Sequence, residues 1–236
     1  MPALAVRTER LNVLRAHLAA PMATQPADLI RFVEAFFGDV LPGDLAQLST
    51  ADLLRIARFA WESAAVRAPG EPSLRLETLP ADPEQPARRR MALCIVNDDM
   101  PFLVDSIIAE LAARNLRVEL IFHPIIDTRR DAHHQRIETA GPRENGIAPA
   151  GAVRESFIYV ELERVGARAR VELLDRLRGI LGDVRRCVED WRPMVDQLRA
   201  VGRELKNNPP PIPPNELQEV LALLDWLGAI PAKRRS

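Results

Sequence analysis

The stretch that decides the fold is NDDMPFLVDSII, Asn97–Ile108, together with the apolar run Met91–Val96 in front of it. Six consecutive apolar residues of this kind predict a strand buried on both faces. Pro101–Arg114 then changes period, with Val104, Ile107, Ile108 and Leu111 on one side, as in an amphipathic helix. Between them lies a strand–helix junction with two readings. Asp98 or Asp99 can cap free helix amides, Pro101 suits the first turn because its missing donor is not needed there, and Asp105 gains from the helix dipole. The same amides can instead hold an anionic group such as a ligand carboxylate. His123, just before Pro124 at a predicted strand end, can line a pocket beside Asp98 and Asp99 or serve as a structural residue. The candidate binding residues are therefore Asn97, Asp98, Asp99, Met100, Pro101, Asp105 and His123.

Working outward, Leu74, Leu76 and Thr78 alternate with Arg75 and Glu77 as in a half-buried strand. Arg117–Phe122 and Phe157–Glu163 alternate similarly, the latter with Ile158, Val160 and Leu162 facing one way. Leu79–Arg90 and Thr128–Arg154 read as loops, one Pro-rich and charged, the other rich in Gly, Pro and His. The order strand, strand, helix, strand, strand, helix implies an α+β fold, a mostly antiparallel sheet with helices packed on one face.

Helices flank this centre. Thr8–Ala19 places Leu11, Leu14 and Leu18 on one face, Ala27–Phe37 follows Pro26, and Ser49 or Thr50 can cap Ala51–Val66. They read as a small bundle covering something else, ended by Pro69 and Gly70. Beyond the centre, Leu174, Leu177, Leu181, Val184, Val188, Trp191, Val195 and Leu198 alternate spacings of three and four, a heptad seam that either covers the sheet or pairs with another chain. Pro193 predicts a kink or break near Trp191–Pro193. Asn207–Pro214 is a stiff extended spacer, Asn215–Leu227 a last helix, and Pro231–Ser236 a basic tail. The expected division is 1–70, a helical segment; 71–206, the α+β domain with its long helix; and 207–236, spacer, short helix and tail.

Composition excludes several classes. A net charge of −1 and scattered arginines without interleaved aromatics give no basis for nucleic-acid binding. No apolar run nears the ~20 residues a membrane helix needs, and no signal-peptide core is present, so a soluble cytoplasmic chain is expected. Cys94 and Cys187 form no disulfide framework and read as small buried hydrophobes in a reducing compartment. His133, His134 and Asp131 lack the further ligands a metal requires. No metal site, no serine–histidine–aspartate order and no GxGxxG following a strand are found.

NDDMPFLVDSI resembles the N-terminal region of the large bacterial NAD-specific glutamate dehydrogenases. IFHPII (Ile121–Ile126), ESFIYVE (Glu155–Glu161) and VEDWRPM (Val188–Met194) match in the same order, and FFGDVLPGDLAQLSTADLL (Phe36–Leu54) is similar. The resemblance implies an ACT-like, ferredoxin-like module of a multidomain enzyme that oxidises glutamate to 2-oxoglutarate and ammonia with NAD under amino-acid regulation. It implies for this chain a fragment lacking the catalytic domain, with no catalytic residue and no cofactor of its own. Its only lysines, Lys206 and Lys233, lie beside a proline tract and in the basic tail. The partners implied are an amino-acid effector at the seven residues above and either the rest of the dehydrogenase or further copies of the chain. A helical oligomerisation protein and a stand-alone amino-acid sensor are the alternatives. The ACT plan βαββαβ closes with a strand after its second helix, which this sequence lacks; Leu74–Thr78 is the strand available for that edge.

Overall fold

The computed structural model describes residues 27–38, 40, 45, 47–81, 89–139 and 150–229. Thr8–Ala19 and the tail Pro231–Ser236 lie outside the described residues. The elements are α1 (Ala27–Phe37), α2 (Thr50–Ser63), β1 (Ser73–Thr78), β2 (Arg90–Asp98), α3 (Leu103–Ala113), β3 (Val118–Phe122), β4 (Ile125–Arg130), β5 (Arg136–Thr139), β6 (Val153–Glu163), α4 (Ala167–Asn207) and α5 (Pro214–Ala229). They fall into two compact units, one holding the described residues up to Asp99 with Ile107–Arg178, the other Met100–Ser106 with the described residues from Gly179 on.

In the first unit every strand pairing is antiparallel, in the order β1-β2-β6-β4-β5, with β3 also on β6. β3 and β4 are successive halves of one line along β6. Pro124, which has no amide to donate, separates them, yet its carbonyl accepts from Phe157 N at 2.9 Å, so the ladder continues past it. In a βαββαβ plan the closing strand would lie antiparallel beside the first. Here β1, which comes earlier in the chain, takes that position, running from Ser73 opposite Val96 to Thr78 opposite Met91. The module is an α+β, ACT-like fold whose closing strand has been moved to the front.

Strand alternation divides the interior into two layers. Ala92, Cys94, Val96, Phe157 and Tyr159 point to one face and are packed with α1 and α2 residues, among them Phe32, Phe36, Leu53 and Ile56, all at 0–1% exposure. Edge-on aromatic contacts join the layers: Phe32 to Phe157 at 5.3 Å, Phe37 to Phe122 at 5.4 Å and Phe59 to Tyr159 at 6.2 Å between centroids. Met91, Leu93, Ile95, Ile158, Val160 and Leu162 are equally buried on the opposite face. Ile107 and Leu111 of α3, with Leu173 and Leu177 of α4, are the buried helical residues available to that face, and Arg176 Nε reaches Glu110 at 3.4 Å between the two helices. The helix layer expected from the centre thus has a counterpart: the helical front covers the sheet's other side.

Local signals explain the ends of these elements. Ser49 caps α2 by accepting Asp52 N at 3.1 Å. Gly70, with φ of +82°, makes the turn that ends the helical front and aims its amide at Asp98 Oδ2, 3.1 Å away. Arg136 of β5 lies over Trp61 at 4.5 Å and Phe32 at 5.6 Å and donates to Trp61 O at 2.6 Å, pinning the front to the sheet edge. Burial lowers its pKa to about 10, against the pull of Asp28.

Several expectations need correction. The loop Thr128–Arg154 begins with a hairpin, β4–β5, and ends in β6, which starts at Val153. β6 is buried on both faces instead of one, because it is the central strand. In the second unit α4 runs unbroken through Pro193, which is exposed. Cys187 is exposed, whereas Cys94 is buried and burial pushes its thiol up to about 12. The heptad positions beyond Val184 are only half-buried. α5 turns back along α4: Arg199 Nη2 donates to Gly228 O at 3.3 Å, and Lys206 Nζ lies 3.7 Å from Asp225 Oδ2. α5 buries no residue fully and leaves Leu223 and Trp226 more than half exposed.

Candidate functional site

The candidate residues do not form one cluster. Successive side chains of a strand point to opposite faces, and that alternation separates Asp98 from its neighbours. Met100, Pro101 and Asp105 belong to the second unit, where α3 starts. There the helix is entered from Phe102, whose carbonyl accepts Ser106 N at 3.0 Å and whose φ is +71°. The cap position is therefore Phe102 and neither aspartate occupies it, which corrects the capping reading. Pro101 precedes the cap, and Asp105 does lie in the first turn.

On the α3 side of the sheet, the first unit brings together Asn97, Asp99, His123, Arg154 and Ser156. Asn97 is opposite Ser156 in the β2–β6 ladder, and Asp99 N donates to Arg154 O at 3.1 Å just beyond. His123 Nε2 lies 2.5 Å from Ser156 Oγ. Asp99 Oδ2 is ion-paired with Arg154 Nε at 2.9 Å, off the line of a hydrogen bond, and is a buried acceptor with no aligned donor among the described residues. Desolvation lowers the pKa of His123, and the negative charge of Asp99 only partly offsets this. A serine–histidine contact with an acid nearby resembles part of a nucleophilic triad. Ser156 is fully buried, though, and no substrate could reach its oxygen. What the cluster offers is a surface histidine whose ring is partly buried against Ser156, an arginine side chain one-third exposed and a carboxylate oxygen with no aligned donor among the described residues.

On the opposite face, Asp98 joins a buried ionic network that the sequence did not announce. Glu155, its cross-strand partner, is fully buried. It accepts from Arg67 Nε at 2.6 Å, Arg130 Nε and Nη2 at 2.9 Å each, and Thr128 Oγ1 at 2.6 Å. Burial opposes its charge, but these donors outweigh burial and hold its pKa below the ordinary carboxylate range. Arg67 also gives Nη2 to Asp98 Oδ1 at 2.7 Å and Nη1 to Glu71 O at 3.1 Å. A second network centres on buried Glu161, which accepts from Arg55 Nη2, Arg90 Nη1 and Tyr159 Oη at 2.7–2.9 Å. Burial first and the Glu161 carboxylate second keep the Tyr159 phenol protonated as a donor. Both networks are saturated and structural. An open groove of about 420 Å³ beside β1 carries Arg55, Arg58 and Arg75, but Arg55 and Arg75 are committed to Asp52, Glu161, Glu62 and Glu77. The sequence hint of these networks was a pair of acids, Glu155 and Glu161, on either side of the apolar run Phe157–Val160.

The remaining polar candidates have local uses. Asp131 Oδ1 accepts the amides of His133 and Gln135 at 2.8 and 2.9 Å and so shapes the β4–β5 turn. Among the described residues no group of three or more His, Cys, Asp or Glu side chains is placed to hold a metal ion, and no helix is long and apolar enough to cross a membrane.

The displaced closing strand, the helices on both sheet faces and the polar strand end define an ACT-like α+β domain. Residues 32–177 match the family model described as "Glutamate dehydrogenase, ACT1 domain", and the chain belongs to that family. It is 29% identical over 224 residues to an NAD-specific glutamate dehydrogenase of Halomonas elongata, covering 94% of this chain and 14% of the relative. It is 26% identical over 197 residues to an NAD-specific glutamate dehydrogenase of Pseudomonas aeruginosa, covering 83% of this chain and 12% of the relative. The chain therefore spans only a small part of the length of the relatives it matches.

Proposed function

We propose that this chain is a non-catalytic regulatory and assembly module of a cytoplasmic NAD-dependent glutamate dehydrogenase, whose glutamate oxidation is carried out outside it. The regulatory half of the reading rests chiefly on one observation, the pair Asp99–Arg154 beside the surface residue His123, with Asp99 Oδ2 accepting no hydrogen bond from the described residues. An α-amino acid carries one positive and one negative group a few bonds apart. Its ammonium suits Asp99 Oδ2, and its carboxylate suits Arg154 and the neighbouring imidazole. Binding would exchange one ion pair for two, with Arg154 swinging outward to uncover the buried oxygen. Calorimetry of the 236-residue chain against a panel of amino acids tests this. Binding of one or more, lost on Asp99→Asn, is the expected result; no heat from any of them would refute the sensing role.

The assembly half draws on the second unit, where Leu223 at 55% and Trp226 at 64% exposure stand out on a helix with no fully buried residue. Leu223 and Trp226 are three apart on one helix face, and apolar side chains exposed together can serve partner contact. Solution mass measured up to high concentration tests self-association, and a strict monomer would leave only the parent enzyme as partner. NAD-dependent glutamate oxidation by the purified chain would overturn the non-catalytic assignment.

A further inference from the structure

The two faces of the strand end share one backbone. Asn97 and Asp99 point to the polar cluster while Asp98, between them, points to the ionic network. Arg154 and Ser156 point to the cluster while Glu155, between them, points to the network. Asp98 and Glu155 are directly opposite in the antiparallel ladder. Two carboxylates in that relation repel and would open the ladder end. Arg67 prevents this by bridging them, with Nη2 on Asp98 Oδ1 at 2.7 Å and Nε on Glu155 Oε1 at 2.6 Å. Arg67 itself comes from the N-terminal layer, just after α2, and its own amide donates to His134 O at 3.1 Å.

We propose that Arg67 is a positioning residue for the Asn97–Asp99–His123–Ser156 cluster, a latch by which docking of the N-terminal layer closes the strand end that carries the cluster. This rests on the cluster being the effector site, but the latch itself can be examined without any ligand. Without Arg67, Glu155 keeps Arg130 and Thr128, whereas Asp98 keeps the Gly70 amide but loses the Arg67 guanidinium that screens it from the Glu155 carboxylate across the ladder. The end of β2 then parts from β6. The Asp99 N–H···O Arg154 bond loosens first, and Ser156 moves away from His123.

The test is Arg67→Gln in the full chain, followed by amide hydrogen exchange and by NMR titration of the His123 imidazole. The Asp99 amide should exchange roughly tenfold faster or more, equivalent to about 1.4 kcal/mol of local opening, while the Ile95 amide deeper in β2 keeps its protection. The His123 titration should move upward as its ring becomes hydrated. Adding Asp98→Asn, which removes the repulsion, should return both readouts toward the parent. If Arg67→Gln does not fold, Arg67→Lys, which keeps the charge but not the two-pronged bridge, should give the same changes at smaller size. Unchanged Asp99 exchange and His123 titration in a folded variant would overturn the latch. So would equal acceleration at Asp99 and Ile95, or failure of Asp98→Asn to rescue. A null result with amino acids would sink the sensing role and leave these readouts intact; a failed latch would leave amino-acid binding untouched.

Discussion

Replacing Glu155 with glutamine removes one charge while keeping nearly the same shape, which makes it a sharp probe of the buried network. The carboxylate is fully buried and receives four hydrogen bonds, three of them from Arg67 and Arg130, whose side chains are 1% and 6% exposed. In Glu155→Gln both guanidiniums stay buried but face a neutral amide, and the amide's NH₂ turns a donor toward donors. Breaking a buried ion pair from one side costs about 3–5 kcal/mol, a large share of the ~5–15 kcal/mol that stabilises an ordinary domain. Urea unfolding followed by tryptophan fluorescence and far-UV circular dichroism should show that loss in the midpoint. Glu62→Gln is the control: its pair with Arg75 is 35–44% exposed, and about 0–1 kcal/mol is expected. Acidity supplies a second arm. The folded-state pKa of Glu155 is depressed, so its stabilisation is present above the unfolded value of about 4.3 and is lost as pH falls through the folded value. The gap between parent and variant should therefore narrow below that pH. A Glu155→Gln loss under about 1 kcal/mol at neutral pH, or a gap that widens in acid, would refute the account of the network.

Phe36→Ala removes a ring within 5.0–6.4 Å of those of Phe37, Phe32, Phe122 and Phe157. A stability loss of about 3–5 kcal/mol is expected, read by thermal unfolding. A loss below about 1 kcal/mol would mean that the N-terminal layer is not part of the core. A thiol reagent at neutral pH should modify Cys187 quickly and leave Cys94 untouched until denaturant is added, because one is exposed and the other is a buried thiol held near 12. Mass mapping of the labelled peptides reads the outcome, and early labelling of Cys94 would contradict the buried β2. Pro193→Ala should restore a backbone donor within α4 and stabilise that helix by up to about 3 kcal/mol. Unchanged helicity and melting would mean that the helix has already accommodated the ring.

How much of this was legible follows from the range over which each feature is decided. The Met91–Val96 run, the heptad spacing in α4 and the serine before α2 are local signals, and each appears where its period or cap chemistry places it. The β4–β5 hairpin was not legible, because IIDTRR and RIET are largely polar and β4 takes its place from β6, which comes later in the chain. Pro193 misled for a related reason: propensity argues for a break, while the helix around it is held by residues on either side.

The site divides along the same line. From the sequence alone came the junction Asn97–Ile108, its placement between a buried strand and a helix, and His123 as a residue that could either line a pocket there or serve the structure. Tertiary structure alone decided that Asp98 faces the Arg67–Glu155 network while Asp99 faces Arg154 and His123, and that Phe102 instead of an aspartate begins the helix. The physical reason is register. Which carboxylate meets which guanidinium depends on the opposition of Asp98 to Glu155, and that is set by the β2–β6 ladder joining segments nearly sixty residues apart. Residue types and local spacing carry no trace of that opposition until the two strands are paired.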